Sequence, residues 1–320
     1  MRKTMTLTLS LFAILATACT SGGSSPSAAV PTAAPTASTA VATTAPSVAP
    51  SATPDACAVA TLPVLTAGKL TIGTDNPAFP PYFAFNADGS KTAPWELGDP
   101  TNGMGFESAF AYALADKMGF TKDQVQWTYV PFDSSYKPGA KTFDLDINQV
   151  SDLPEREAAV DFSDGYYFVN QAVVSLAANP IAKVTSIADL AKYRFGAQVG
   201  TSSLKTITDV IKPTAEPNIY DTNDAAIAAL KAKQIDGIVA DLPTAFYMTG
   251  AQLDDKGAVV GQFQNPPGAD VEHFGVVLAK GSPITPCVNT AIKALTDNGS
   301  LAAITQEWLS DKASAPVFTP

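Results

Sequence analysis

Strand-like and helix-like segments alternate along most of this sequence. KLTIGT at residues 69–74 alternates apolar and polar side chains, as a half-buried strand does. Residues 106–118 repeat apolar side chains at helical spacing, and residues 126–130 and 235–240 are again apolar and strand-like. Strands that alternate with helices predict an α/β fold with mixed sheets.

Several local signals mark the ends of these elements. Ser186 and Asp189 have the spacing of a capping box at the start of a helix. Asn223 or Asp224 is predicted to cap the helix AAIAALKAK, and Pro243 is expected in the first turn of the next helix. Two more helices are predicted near residues 285–297 and 299–310.

The segment at residues 144–167, DLDINQVSDLPEREAAVDFSDGYY, is the most informative about function. Leu145 and Ile147 alternate with polar residues, which predicts a strand that ends in amide and hydroxyl side chains. Pro154 then opens a charged turn that carries Arg156. An arginine offers a planar fork of donors that suits a small carboxylate. The spacing alone equally allows a surface arginine paired with a neighbouring glutamate.

Length and charge narrow the class of protein. The chain has 320 residues, enough for two domains or one large one, and its hydrophobic content of 46% allows a sizeable core. Its formal net charge is −10. This acidity argues against a nucleic-acid partner, because a nucleic-acid binder needs a basic face.

Residues 1–18 have the pattern of a signal peptide. Arg2 and Lys3 precede an apolar run at residues 7–18 that is too short to span a membrane. The run ends in LATAC, which resembles the lipobox of bacterial lipoproteins, in which the cysteine, here Cys19, is lipidated and becomes the new N-terminus. Ala16 stands where leucine is commoner, and an ordinary cleaved signal peptide is the alternative.

Residues 19–56 are predicted to be a disordered, lipid-anchored linker. Residues 20–55 consist almost wholly of Ala, Thr, Ser, Pro, Val and Gly. This composition lacks large apolar side chains and cannot bury a core, so we expect a flexible tether between the anchor and the folded part.

Six segments resemble, in the family's order, motifs of bacterial solute-binding protein family 3, the polar amino-acid-binding proteins of ABC importers. They are LTIGTDNPAFPPYFAF, GFESAFAYALADKMGF, PERxxxVDFSxxYY, QVGTSS, IDGIVADLP and GSLAAITQEWL. The resemblance implies a two-lobed, periplasmic-binding-protein-like fold of type II. Lobe 1 would comprise residues 57–168 plus 275–320, and lobe 2 residues 169–274. Residues 171–178 and 274–279 are predicted to be the two interlobe crossings.

The resemblance also implies a ligand site in the cleft between the lobes. Arg156 matches the arginine that pairs with the α-carboxylate of the ligand. Ser151 matches a hydroxyl or backbone contact to the same group. Asp241 matches the carboxylate that binds the α-ammonium group, although without the resemblance it would be read as a helix cap.

The turn of Gly200, Thr201 and Ser202 matches a turn of the opposite lobe that contacts the ligand. There, free N–H groups and the positive end of a helix dipole receive the α-carboxylate. Plain N-capping by Thr201 and Ser202 is the alternative, and the two roles are compatible.

Four further positions are assigned to the site by the resemblance. Asp75 and Phe79 match the aspartate and the aromatic residue of the family's TDxxYPPF motif, with one extra residue and with Phe in place of Tyr. Asn148 and Gln149 stand where the family has small residues. Two amides would narrow the pocket and add donors and acceptors, which favours a polar side chain on the ligand. For Gln149, a hydrogen bond across the lobe interface is the alternative.

The implied function is capture of a polar amino acid by closure of the two lobes, as the extracytoplasmic substrate-binding component of an ABC transporter. The resemblance implies a monomer that is anchored to the outer face of the cell membrane through Cys19 and is recognised by permease subunits. It implies neither a cofactor nor a metal.

The cysteines add one expectation. If Cys19 carries lipid, Cys57 and Cys287 remain, and a cysteine pair in an exported chain is most simply a disulfide. The resemblance places both in one lobe. Two separate thiols are the alternative.

Two other classes compete with a transport protein. A cyclohexadienyl dehydratase-like enzyme of the same fold would need a carboxyl acid in the cleft, and Glu107 is the nearby candidate, although it reads better as a favourable first-turn charge. His273 is the single histidine, and no nucleophile, metal or phosphate motif accompanies it. A ligand-sensing domain or adhesin is the third reading.

Overall fold

The described strands form two five-stranded sheets and a two-stranded ribbon. The computed structural model describes residues 56–264, 271–309 and 315–320. The predicted signal peptide, Cys19 and nearly all of the predicted linker lie outside the described residues.

Sheet 1 is mixed and has the strand order β2-β1-β3-β12-β4. Its strands are β1 (Leu70–Thr74), β2 (Val125–Tyr129), β3 (Leu145–Asp146), β4 (Val160–Phe162) and β12 (Val277–Ala279). Helices α1 (Phe106–Lys117), α8 (Thr285–Asp297) and α9 (Ser300–Leu309) pack together beside it, and the short helices α2 (Phe132–Ser135) and α3 (Pro154–Glu157) follow β2 and β3. Leu70 and Ile72 of β1 are fully buried against α1, as their alternation predicts.

Sheet 2 is also mixed and has the strand order β10-β6-β9-β7-β8. Its strands are β6 (Gln171–Leu176), β7 (Phe195–Gln198), β8 (Asn218–Tyr220), β9 (Gly237–Asp241) and β10 (Gly257–Gln262). Its helices are α4 (Ile187–Leu190), α5 (Ser202–Lys205), α6 (Asn223–Lys231) and α7 (Leu242–Tyr247), with π-helical turns at Thr206–Ile211 and Met248–Gln252. The two sheets have separate apolar cores, so the α/β, two-lobed prediction is confirmed.

The crossings between the lobes differ from the prediction in position. The chain crosses at β5 (Tyr167–Phe168) and again at β11 (His273–Phe274), which pair as an antiparallel ribbon. In sequence, β5 stands between β4 of sheet 1 and β6 of sheet 2, and β11 stands between β10 of sheet 2 and β12 of sheet 1. Residues 171–176 are instead a central strand of sheet 2, and Val277–Ala279 belongs to sheet 1. The apolar run at 171–176 is buried because β6 lies between β10 and β9.

The last described segment departs from the predicted lobe assignment. Residues 315–320 lie against sheet 2 rather than sheet 1: Gln262 donates its backbone N–H to Pro316 and accepts from the N–H of Phe318. The ring of Phe318 packs on Phe263, with centroids 5.1 Å apart, and completes an apolar core of sheet 2. The other lobe boundaries remain a proposal.

The disulfide prediction is confirmed. Cys57 bonds to Cys287 of α8, with Cα atoms 5.5 Å apart, and the bond joins the start of the described chain to the helices of sheet 1. Two of the three predictions for helix starts are confirmed and one is wrong. Ser186 caps α4 and Pro243 lies in the first turn of α7, but Thr222 caps α6 in place of Asn223 or Asp224. No helix of the described residues is long and apolar enough to cross a membrane.

Candidate ligand-binding cleft

One cavity lies between the two lobes, where β1, β3, β7 and β9 end. Among its lining residues are all of the predicted site residues except Gly200, namely Asp75, Phe79, Asn148, Gln149, Ser151, Arg156, Thr201, Ser202 and Asp241. The cavity volume is about 50 Å³, well below the roughly 300 Å³ at which sites for drug-sized ligands begin. The cleft is narrow because polar side chains of the two lobes contact each other across it.

Arg156 holds the cationic side of the cleft. Pro154 starts α3, and the helix presents Arg156 as a buried side chain. Its Nη1 donates to the carbonyl of Ser151 at 2.6 Å and its Nη2 to the carbonyl of Gly200 at 2.7 Å, so the guanidinium spans the two lobes. The guanidinium carbon lies 4.3 Å from the ring centroid of Tyr136. A guanidinium has five N–H donors, so further donors remain for a carboxylate in the cavity.

Asp241 holds the anionic side. It is the N-cap residue of α7, but its side chain makes no capping hydrogen bond and is turned to other partners. Its Oδ1 accepts from Gln171 Nε2 at 2.6 Å. Burial, together with the negative charge of Glu272, raises the pKa of Asp241 to about 8, although the hydrogen bond from Gln171 opposes the shift. A buried carboxyl of this kind ionises readily only when a cation reaches it.

The turn at residues 200–202 contributes mainly through its backbone. The hydroxyl of Thr201 accepts from the N–H of Leu204, which makes Thr201 the N-cap of α5. Gly200 does not line the cavity; its carbonyl accepts from Arg156 and from the hydroxyl of Tyr136 at 3.2 Å. The N–H groups of the first helical residues have no partner within the helix, as at any helix start. The turn therefore offers N–H donors beside Arg156.

The two amide side chains that line the cavity, Asn148 and Gln149, have different roles. Gln149 has φ of +49°, donates its backbone N–H to Glu107 at 2.7 Å and turns its side-chain amide onto the same carboxyl group. The alternative of a bond across the lobes is therefore wrong for Gln149. Asn148 lines the cavity, and its Nδ2 has no hydrogen-bond partner among the described residues. Asn148 is thus the amide left free to contact a ligand.

Glu107 is a residue that the sequence reasoning misjudged. It lies in the first turn of α1, as predicted, but it is fully buried and accepts from Gln149 and from the hydroxyl of Tyr166. Burial raises its pKa to about 7, and these hydrogen bonds limit the shift. The signal in the sequence is a carboxyl between Phe106 and Phe110, on the helix face that packs in the core.

Asp146 adds a second buried carboxyl group that the sequence reasoning did not single out. It lies on β3 beside Gly73, and neither side-chain oxygen has a hydrogen-bond partner among the described residues. Burial raises the pKa of Asp146 well above its ordinary value, and the charges of Glu107 and Asp75 act in the same direction. The sheet 1 side of the cleft therefore contains Arg156 together with several carboxyl groups.

The loop that carries Asp75 and Phe79 is held by the segment at residues 86–103. Asn76 donates to the carbonyl of Pro94 at 2.9 Å and accepts from the N–H of Glu96 at 2.9 Å. The N–H of Gly98 bonds to the carbonyl of Ala78. This segment therefore braces the loop that forms one wall of the cavity.

The fold and the cleft define a two-lobed protein that encloses a small ligand between α/β lobes. The sequence profile of the bacterial extracellular solute-binding proteins, family 3, matches residues 70–311. The match covers well over half of the chain, and the protein belongs to this family.

Known proteins are similar to this chain in sequence or in fold. The chain is 28% identical over 222 residues to the arginine-binding extracellular protein ArtP of Bacillus subtilis (strain 168), a match that covers 68% of this chain and 82% of ArtP. It is similar to the structure of an ancestral arginine-binding protein bound to glutamine, with a TM-score of 0.62, 25% identity and coverage of 76% and 99% of the two chains. It is also similar to the ancestral amino acid-binding protein AncCDT-1, a precursor of cyclohexadienyl dehydratase, with a TM-score of 0.59, 25% identity and coverage of 75% and 95%.

Proposed function

We propose that this protein captures a zwitterionic amino acid with a cationic side chain and delivers it to an ABC importer. The observation that carries the proposal is that Arg156 and Asp241, one from each lobe, line the same cavity. An arginine and an aspartate on opposite walls match the carboxylate and the ammonium group of an amino acid in charge. Fold similarity to amino-acid-binding proteins supports the same ligand class.

In this proposal, Arg156 and the N–H groups of the 200–202 turn bind the α-carboxylate, and Asp241 binds the α-ammonium group. Charge-assisted bonds to a fork of donors are the stronger and more directional kind. The ligand contacts both lobes only when the lobes are together. Binding therefore favours the closed form through its differential affinity for the two forms.

The preference for a cationic side chain rests on the excess of carboxyl groups. Asp75 lines the cavity beside Asn148, and Glu107 and Asp146 lie buried behind it. A guanidinium or ammonium group that reaches this wall would gain carboxyl acceptors, and its charge would favour the ionised form of these groups. The arginine-binding activity in the name of ArtP agrees with this charge pattern.

Calorimetry on the purified protein tests the proposal directly. We expect L-arginine to bind more tightly than L-glutamine, and Arg156→Ala to weaken arginine binding by at least about 30-fold, because it leaves a carboxylate without its buried partner. Arg194→Ala is the matched control, since Arg194 is half-exposed and pairs with Asp236, and neither residue lines the cavity. Unchanged affinity in Arg156→Ala, with wild-type circular dichroism, would contradict the assignment.

We further propose that the cleft is a binding site and performs no catalysis. The enzyme reading needs a carboxyl acid that reaches the substrate. Glu107 has a raised pKa but bonds to Gln149 and Tyr166 and does not line the cavity. Incubation with a prephenate-like substrate, followed by NMR, should show no loss of water; turnover would favour the enzyme.

Anchoring completes the proposal. We infer that Cys19 carries the lipid, that residues 20–55 tether the lobes at the outer face of the membrane, and that a monomer meets the permease there. Mass spectrometry of the membrane-extracted protein should find a diacylglyceryl cysteine at the N-terminus. Cys19→Ser should release the protein into the medium.

A further inference from the structure

The segment at residues 315–320, which we name the C-terminal strap, joins the two lobes once more. Helix α9 ends at Leu309, which is buried in the apolar core beside sheet 1. The strap lies on sheet 2, although only residues 310–314 separate it from α9 in the sequence. The chain therefore passes from one lobe to the other between Leu309 and Ala315, in addition to its crossings at β5 and β11.

Backbone hydrogen bonds on both of its edges fix the strap to lobe 2. On one edge, the strap exchanges two of these bonds with Gln262 at the end of β10. On the other edge, Thr319 donates its N–H to the carbonyl of Thr185 at 2.9 Å and accepts from the N–H of Ile187 at 2.8 Å. The strap is thus an extended segment held between β10 and the start of α4.

Phe318 anchors the strap in a socket that lobe 2 provides. Its side chain is only 6% exposed and packs in an apolar core of sheet 2. Gly261 leaves room for the ring, because a Cβ at this position would lie 2.8 Å from a ring carbon of Phe318. Ala315 packs against the other apolar core of the same sheet. Burial of a large aromatic ring favours the docked strap over a free tail.

The strap is also joined to the interlobe ribbon through one side chain. Asn170 lies between β5 of the ribbon and β6 of sheet 2, and its Nδ2 donates to Oε1 of Gln262 at 2.8 Å. Nε2 of Gln262 donates in turn to the carbonyl of Ala315 at 2.8 Å. The amide of Gln262 therefore connects the start of the strap to the point where the chain leaves the ribbon for lobe 2.

A docked strap limits how far the lobes can move apart. An extended chain spans at most about 3.6 Å per residue, so Leu309 and Ala315 can separate by no more than about 22 Å. The strap is docked while the lobes contact each other across the cleft, where Arg156 donates to the carbonyl of Gly200. Opening about the ribbon must therefore stay within the length of residues 310–314 or pull Phe318 from its socket.

We propose that the C-terminal strap is a third connection that restricts the opening of the lobes and so holds the cleft near its closed form. The inference rests on the proposed function for the lobe movement itself. Because a ligand contacts both walls only in the closed form, a restricted hinge raises the fraction of the free protein that is competent to bind. Release of the strap should therefore weaken ligand binding although no residue of the cleft is changed.

The sharpest test lengthens the connection and leaves the strap docked. About twelve glycine and serine residues are inserted between Leu309 and Ala315, so that Phe318 keeps its socket while the length limit is removed. Spin labels on noncanonical side chains replace the exposed Lys117 in lobe 1 and Lys231 in lobe 2 of the full chain, and double electron–electron resonance measures the distance between them. We expect the insertion to extend the distances in the free protein outward by roughly 5 Å or more. Calorimetry should show that the affinity for L-arginine falls at least about threefold.

Two substitutions within the strap complete the test. Phe318→Ser removes the anchoring ring and should extend the distances in the same way. Val317→Ser is the control, because the neighbouring Val317 is 47% exposed, and it should leave distances and affinity unchanged. Wild-type distances in the insertion variant overturn the inference, since the strap would then only complete the core of lobe 2, and this outcome stands even if Phe318→Ser fails to fold. A wild type that binds no amino acid overturns the proposed function, whereas the distances still decide on the strap.

Discussion

Among the site residues, Asp241 is expected to make ligand affinity depend most steeply on pH. Its pKa of about 8 means that the carboxyl is mostly protonated at pH 6–7 in the free protein. A bound ammonium group needs the ionised form, so binding must release a proton. We expect affinity for L-arginine to rise by up to about tenfold per pH unit between pH 6 and 8. Calorimetry at pH 6.5 in buffers of different ionisation enthalpy measures the protons released.

Asp241→Asn provides the comparison. The variant should bind arginine weakly and release no proton at this site, because an amide does not titrate. Proton release that is equal in the two proteins would assign the titration to another group.

Glu107 makes a second residue-level prediction, on stability. Its folded-state pKa of about 7 exceeds the ordinary value of 4.5, so the folded state holds the extra proton in this window. The contribution of Glu107 to the free energy of unfolding is therefore fully present below pH 4.5. It falls by up to about 3 kcal/mol as the pH rises to 7. Glu107→Gln should flatten this fall, whatever its absolute stability. Urea unfolding at several pH values from 4.5 to 7.5 measures the slope; equal slopes would contradict the assignment.

Residue roles were only partly readable from the sequence. The family motifs correctly predicted that Arg156 and Asp241 line one cavity. They could do so because the spacing of motifs along the sequence reflects a backbone fold that the family shares. The protonation of Asp241, the hydrogen bond of Ser151 to Glu272 and the burial of Glu107 depend on side chains that are distant in sequence. Local pattern contains no information about the partners of Asp241 and Ser151, although the apolar neighbours of Glu107 do indicate its burial.

At the scale of elements, the start of α1 shows how backbone approach positions the site. Gly105 precedes α1 with φ of +96°, and a Cβ there would lie 2.5 Å from the carbonyl oxygen of Tyr82. Backbone atoms cannot yield as a flexible side chain can. The close approach fixes where Glu107 enters the core beneath Gln149.

Gly105→Ala should therefore destabilise the protein by roughly 2–5 kcal/mol, from the left-handed backbone together with the clash. Gly89→Ala is the control, because Gly89 has φ of +72° with nothing within 4 Å of its added Cβ. It should cost only about 1–2 kcal/mol. Differential scanning calorimetry compares the melting temperatures of the two variants. Equal melting temperatures would contradict the prediction, because they would mean that the backbone at Tyr82 shifts to accommodate the added Cβ at little cost.

Predictions of where helices and strands begin and end contain small errors, and two cases show the reason. Thr222, Asn223 and Asp224 are three good capping residues in a row, and Thr222 is selected because its backbone is extended, with φ of −140°, where the helix begins. The apolar run at 171–176 is read easily as extended chain. That β6 lies between two other strands is set by pairing with β9 and β10, which are distant in sequence.

At the scale of the whole molecule, the disulfide closes a span of 230 residues between Cys57 and Cys287. Removal of both cysteines by substitution with serine should destabilise lobe 1 by up to about 5 kcal/mol, because the unfolded chain regains the entropy of that loop. Arginine affinity should stay within about twofold of wild type, since neither cysteine lines the cleft. Thermal unfolding with and without a reductant measures the effect; an unaltered melting temperature would contradict it.

The sequence by itself determined the α/β class, the family, most helices and strands, the cysteine pair and the residues that meet in the cleft. These follow from periodicity, from turn residues and from motif order, which are local or inherited as a set. The tertiary structure decided where the chain crosses between lobes, that residues 315–320 return to sheet 2, and which protons the buried groups hold. Those features depend on burial and on contacts between distant segments, because only packing removes water from a carboxyl group and gives it a specific partner.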